Sequence, residues 1–333
     1  MNRAYLNGWG AVSPAGWGVA PMATAVQQGR PIEPSAMAWP GREQSFPVRR
    51  VPPHGVRPAF LGHPRMRRTS PISQFVVAAA HEAMEAARVP AGMVETRLGV
   101  VVAIFNGCIG YSRRFFGEVL ADPATASPMV FPETVFNAPS SHLSAVLGAR
   151  AANYTLVGDE GAFANGLAMA CQWLGDGWVD GCLVVGAEEA DPITADAVAR
   201  LEHGMIVSEG AGAVYVSNQP GPVEIMALTE PELFFDRKGR TDALERTRRA
   251  WRATIGSPAR CVGNVPCAAG MPAVVPEAAL GHGMGASGAW HVVLAAEAVR
   301  SGECDVAVAE TAGSNEQVVS TVLRRDGRHG ATA

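Results

Sequence analysis

The sequence predicts a layered α/β fold, with helices between and outside two β-sheets. Three observations carry that prediction. Residues 98–105 (LGVVVAIF) form a continuous apolar run of strand length, the kind that is buried on both faces of a sheet. Residues 162–175 (AFANGLAMACQWLG) and 284–300 (MGASGAWHVVLAAEAVR) are of helical length and small or apolar on nearly every side, which marks buried helices. The two helices also lie in stretches that match at a constant offset, with Gly177 on Gly302, Asp180 on Asp305, Ala170 on Ala295 and Leu167 on Val292. That pattern points to an internal duplication with the buried helices as pseudo-symmetric partners; chance likeness of two βαβ units is the competing reading. The halves divide into 1–217 and 218–333 within one compact unit.

The remaining elements follow in order. Residues 4–12 alternate into a strand, and Ser13-Pro14-Ala15-Gly16 reads as a turn. Residues 34–64 are proline-rich and poor in periodicity, so a long ordered loop over the surface is expected there. Residues 72–88 carry alanine and apolar residues at helical spacing. Residues 137–148 read as a helix and 153–158 as a strand. Asp159-Glu160-Gly161 is then a tight turn into helix 162–175, and residues 180–186 and 305–309 are further strands.

Composition narrows the function classes. Of 333 residues, 48% are hydrophobic and 17% charged, and the net charge is −4. This balance suits a sizeable core and argues against nucleic acid or an anionic membrane as the main partner. The basic runs Arg49-Arg50, Arg65 to Arg68 and Arg324-Arg325 are short, although Arg65 to Arg68 can receive an acidic partner. The six cysteines form no C-x-x-C pair and no zinc spacing. The glycines at 281, 283, 285 and 288 follow no strand, so they read as close backbone packing and not as a dinucleotide fingerprint. No cofactor and no metal are therefore expected. No apolar run is long enough to span a bilayer. No signal-like segment opens the sequence, and a reduced, cytoplasmic protein is expected.

Several motifs, in consistent order, carry a family resemblance. They are NGWGAVSPAGWG (7–18), LGVVVA (98–103), NAPSSHLSAVLG (137–148), VVGAEEA (184–190), SEGAGAVYV (208–216) and GHGMGASGA (281–289). Together they resemble the β-ketoacyl synthases, whose thiolase-like fold stacks two duplicated halves in an α-β-α-β-α arrangement. A decarboxylating condensing enzyme of this family needs a thiol on a tight strand-to-helix turn, two histidines and a supporting lysine. Counting back from Gly186-Ala187-Glu188 places the nucleophile position on Glu160. The first-histidine region holds Asn264 and Cys267 and no histidine, and the lysine expected before Gly281 is missing. His282 alone matches a catalytic position. Ala312-Gly313-Ser314-Asn315 stands where the family has a gating phenylalanine among glycines, and the loops that cover the active site are abbreviated.

The resemblance therefore implies a degenerate member, similar to the chain-length factors of type II polyketide and aryl-polyene-type systems. Those subunits usually carry glutamine at the nucleophile position, so Glu160 departs from them too. Family members dimerise through the strand before the nucleophile, here 153–158. The loop before helix 137–148 then reaches toward the partner's acyl pocket, which makes Val135 and Phe136 either determinants of chain length or ordinary interface or core residues. Glu160 suits a helix N-terminus electrostatically but is a poor nucleophile toward a thioester. Filling the old thiol pocket is the favoured role. His142 and His291 read as hydrogen-bonded structural residues.

Three functional readings follow. The first is a non-catalytic subunit that pairs with an active ketosynthase in polyketide or fatty-acid-like biosynthesis, with an acyl carrier protein as a possible further partner. The second is an enzyme of altered acyl-thioester chemistry that uses Glu160 and His282 as an acid/base pair. The third is a homodimeric scaffold without a substrate.

Overall fold

The computed structural model of the chain describes residues 3–55, 58–90, 94, 97–201, 204–255, 260–266, 273–314 and 316–326. The chain runs β1 (Ala4–Ser13), β2 (Gly16–Trp17), α1 (Val19–Gln28), β3 (Ser35–Ala38), β4 (Ser45–Arg49), α2 (Pro71–Ala87), β5 (Leu98–Ile104) and α3 (Ile109–Ala121). It continues through α4 (Ala138–Leu147), β6 (Asn153–Val157), α5 (Ala162–Gly175), β7 (Gly181–Glu188), α6 (Pro192–Leu201), β8 (Val207–Ser208) and β9 (Gly210–Ser217). There follow β10 (Val223–Leu228), β11 (Glu232–Leu233), α7 (Arg237–Ile255), β12 (Arg260–Gly263), β13 (Ala273–Val274), α8 (Pro276–Leu280), α9 (Ser287–Ser301), β14 (Val306–Ala312) and β15 (Gln317–Arg325).

The duplication is visible in the strand order. β1, β9, β7, β5 and β6 lie side by side, and β10, β15, β14, β12 and β13 repeat the same arrangement. In each set the first two pairings are antiparallel and the last two parallel. The two sheets expected from the sequence are joined edge to edge, because Ala4, Tyr5 and Leu6 of β1 pair with Ile225, Glu224 and Val223 of β10. Ten residues of β1 are enough to pair with β9 and still reach β10.

α5 and α9 lie between the two sets of strands, in a core shared by Leu167, Trp290, Val293, Val184 and Ala309. β5 shows why its sequence does not alternate. Val101 and Ala103 enter that central core, while Val100 and Val102 enter a second core under α2. Gly177 and Gly302, matched by the sequence offset, both adopt left-handed φ (+72° and +87°) at the ends of α5 and α9, where a side chain would be strained.

Residues 34–64 differ from the loop expected. They contain β3 and β4, and β4 pairs with β8 through Val48 and Val207. Met37, Phe46 and Val48 there bury against Val207 and Met284, so a few apolar side chains outweigh the proline content. Cys108, Cys171, Cys182 and Cys304 are buried free thiols, whereas Cys261 is disulfide-bonded, contrary to the wholly reduced set expected. Among the described residues no helix is long and apolar enough to cross a membrane.

Candidate functional site

The site is built on the turn between β6 and α5. β6 hands over to Gly158, whose N–H donates to Ile104 O at 3.1 Å, and the chain then turns through Asp159 and Glu160. Both carboxylates are 1% exposed, so each must find donors inside the protein. Asp159 accepts from Gly161 N (3.0 Å), Glu316 N (3.0 Å), Gln317 N (3.3 Å) and Gln317 Nε2 (3.2 Å). Glu160 accepts from Ser314 N (2.7 Å), Ser314 Oγ (2.5 Å) and His282 Nε2 (3.0 Å). Two consecutive acids thus hold the loop that leads from β14 into β15. The fit is tight: a Cβ on Gly313 would lie 1.8 Å from Asp159 Oδ2.

His282 arrives from the other half of the chain. Its backbone is fixed by His282 N donating to Ile206 O (2.8 Å) and Ser208 N donating to His282 O (2.9 Å). In the neutral ring Nδ1 accepts from Met284 N at 3.4 Å and the proton sits on Nε2, facing Glu160; in the charged ring that Glu160 favours, both nitrogens carry protons. Burial pushes the Glu160 carboxyl up, but the charge and hydrogen bond of His282 and the Ser314 contacts outweigh it and bring it down to about 2. Burial likewise disfavours a charged His282, and Glu160 outweighs it, so the imidazole is raised above its ordinary value. Beside this pair lies a second one: His291 contacts Glu277 Oε1 through Nε2 (2.7 Å) and Thr311 Oγ1 through Nδ1 (2.8 Å). Burial raises Glu277, but His291 and then His282 draw it below the usual carboxylate range.

The chemical consequence is restrictive. A nucleophilic carboxylate needs a free oxygen facing its substrate, and a general base needs a free lone pair. Glu160 Oε1 accepts from Ser314 Oγ and His282 Nε2, Oε2 accepts from Ser314 N and keeps one acceptor site, and His282 is hydrogen-bonded within the protein. Asn264 is engaged too, donating to Ala312 O at 2.8 Å and accepting from Ala312 N at 3.0 Å. His282, Asn264, Glu277 and Ser314 line one side of a cavity of about 1090 Å³, with Arg240 and the 96%-exposed Phe235 also on its wall.

The sequence-predicted residues are distributed as follows. Glu160 and His282, 122 positions apart in sequence (282 − 160), are in contact, and Asn264 shares the cavity with His282. Cys267 lies outside the described residues. Val135 and Phe136 do not line this cavity; they are half-exposed on the loop before α4. His142 is buried and bonded to both oxygens of Glu133 (3.0 and 2.9 Å), and His291 is likewise bonded to protein partners. Sequence reasoning missed Asp159, Glu277 and Ser314 as partners. Adjacency to Glu160, to His282 and to the expected gating loop was the available signal.

The pair has a pH signature. Glu160 contributes stability that is present above its ordinary value of 4.5 and lost as pH falls through about 2. His282 contributes stability that is present below 6.5 and lost as pH rises through its raised folded value. The melting-temperature difference between wild type and Glu160→Gln should therefore be greatest between pH 4.5 and 6.5 and shrink on either side. A difference that does not vary with pH would show that the two groups are not coupled.

Known proteins share this architecture. The sequence profile of the β-ketoacyl synthase N-terminal domain matches residues 54–219. The ishigamide ketosynthase/chain length factor superposes with a TM-score of 0.81 at 20% identity, over 98% of this chain and 100% of that one. A type II polyketide synthase acyl-carrier protein in complex with its ketosynthase bound to the hexaketide (AntDE:AntF) gives 0.80 at 16% identity, over 98% and 99%. The ketosynthase ApeO in complex with its chain length factor ApeC, from Xenorhabdus doucetiae, gives 0.77 at 14% identity, over 98% and 98%. At these identities the likeness establishes the thiolase-like fold. No curated protein matches the chain.

Proposed function

Because the chain belongs to the β-ketoacyl synthase family, we propose that it is a non-catalytic, chain-length-factor-like subunit. In this reading it pairs with an active ketosynthase of a type II polyketide or fatty-acid-like system and shapes the acyl cavity of the pair. The observation that supports the reading is the burial of Glu160 together with its engagement by three donors. By the family resemblance a carboxylate stands at the position of the thiol, and its oxygens accept from Ser314 and His282. The Ser314 backbone and hydroxyl contacts support a structural role for Glu160 over an acid/base one. Supporting features are the exposed edge strand β6, the half-exposed Val135 and Phe136, and the names of the similar complexes. Arg65, Arg67 and Arg68 are exposed together and offer a surface to an acidic carrier protein.

The test is product length. Co-expressed with its ketosynthase, Val135→Ala or Phe136→Ala should lengthen the products, each added methylene being worth about 1–3 kcal/mol of discrimination. Unchanged lengths in both variants would remove the cavity role. Glu160→Gln should leave product formation by the pair intact, whereas abolished turnover would favour altered acyl-thioester chemistry. A homodimer of native mass, with no ketosynthase bound, would favour the scaffold reading.

A further inference from the structure

We propose that Gly107 is a positioning residue for Phe136, and through it a determinant of product length; this rests on the subunit reading above. The observation is a stack of close contacts. Gly107 ends the turn that leaves β5, with a left-handed φ of +63°. A Cβ built there would lie 2.9 Å from Phe136 Cδ1, 3.4 Å from Phe136 Cε1 and 3.2 Å from Ile104 Cδ1. The Phe136 ring thus rests on the bare α-carbon of Gly107, while the residue stays 49% exposed.

The floor under that ring is rigid. Ile104 is fully buried at the end of β5. The turn is pinned by the buried Glu188, which accepts from Phe105 N (2.9 Å) and Asn106 N (3.2 Å). Asn106 Nδ2 also donates to Thr194 Oγ1 at 3.1 Å. A close-packed floor does not yield to an added atom, so the exposed ring moves instead. It moves outward, toward the space the partner's acyl pocket occupies in the proposed pair. Glycine at 107 therefore sets how far Phe136 projects, a property separate from the size of Phe136 itself.

The experiment is a double-mutant cycle read out as product length in the co-expressed pair. Asparagine tolerates left-handed φ and adds a Cβ, so Gly107→Asn supplies the push with little backbone strain. Gly107→Asn should shift the main product shorter by one extension unit, and Phe136→Ala should shift it longer. In the Phe136→Ala background, Gly107→Asn should change nothing, because no ring remains to be lifted. Equal shortening in both backgrounds overturns the positioning role. If Phe136→Ala lengthens products and Gly107→Asn alone does nothing, this inference fails and the subunit reading stands. If neither single variant changes length, both fail. Should Gly107→Asn not assemble, Ile104→Val lowers the same floor and should lengthen products; shortened or unchanged products there overturn the proposal.

Discussion

Replacing Val157 by aspartate should leave a folded chain that no longer forms a one-to-one complex with a ketosynthase. β6 is the last strand in the sheet order and, among the described residues, pairs with β5 alone, so its other edge presents backbone groups unpaired within them. Such an edge is a template for another strand. Tyr154 and Val157 on β6 are each 55% exposed, and Tyr154 packs edge-on against Trp173 with ring centroids 5.6 Å apart. The exposed strand is apolar where a free edge is usually guarded by charge. An aspartate at 157 remains solvated in the isolated chain and changes its stability little. Across a closed interface the same carboxylate is desolvated without a partner, at a cost of about 3–5 kcal/mol. Each 1.4 kcal/mol or so is a tenfold loss of affinity, so about two to three and a half orders of magnitude are at stake. Native mass measured on the co-expressed proteins checks the first part, and the melting temperature of the variant alone checks the second. An undiminished complex would place the interface elsewhere on the molecule.

Glu160→Ala should cost about 3–5 kcal/mol of unfolding free energy, the scale for removing one member of a buried ion pair. The alanine leaves the buried His282 imidazole without the carboxylate that contributes most to raising its pKa, so that pKa must fall. It also strips the Ser314 N–H and hydroxyl of their acceptor, which loosens the loop between β14 and β15. Glu160→Gln keeps one acceptor oxygen and should lose less, about 1–3 kcal/mol. Denaturant titration orders the three proteins. An alanine variant within about 0.5 kcal/mol of wild type would mean that Glu160 holds nothing together. The order matters for function because it separates a structural carboxylate from a chemical one. A clamp is costly to remove and irrelevant to turnover; an acid or base is the reverse.

How much of this was readable in advance depends on the range over which each feature is decided. The long apolar run of β5 and the all-round apolar surfaces of α5 and α9 are local properties, and the structure buries all three. The glycine offset that matched residue 177 to residue 302 reflected the same helix-ending turn made twice. The proline-rich stretch 34–64 was misread because β3 and β4 are short, and their formation depends on Val207 and Met284, far along the chain. Glu160 and His282 were identified by position within motifs, but their contact, the bonds of Glu160 to Ser314 and the clasp of Asp159 on residues 316 and 317 were not.

The sequence by itself determined the layered α/β architecture and its repeated pattern, because periodicity is carried by neighbours along the chain, and the family resemblance pointed to Glu160 as the residue at the expected nucleophile position. Only the tertiary structure decided which groups that carboxylate meets. Whether Glu160 is a free or a hydrogen-bonded carboxylate depends on donors 122 and 154 positions away (282 − 160 and 314 − 160), and hydrogen-bond geometry at that separation exists only once both halves have packed around α5 and α9.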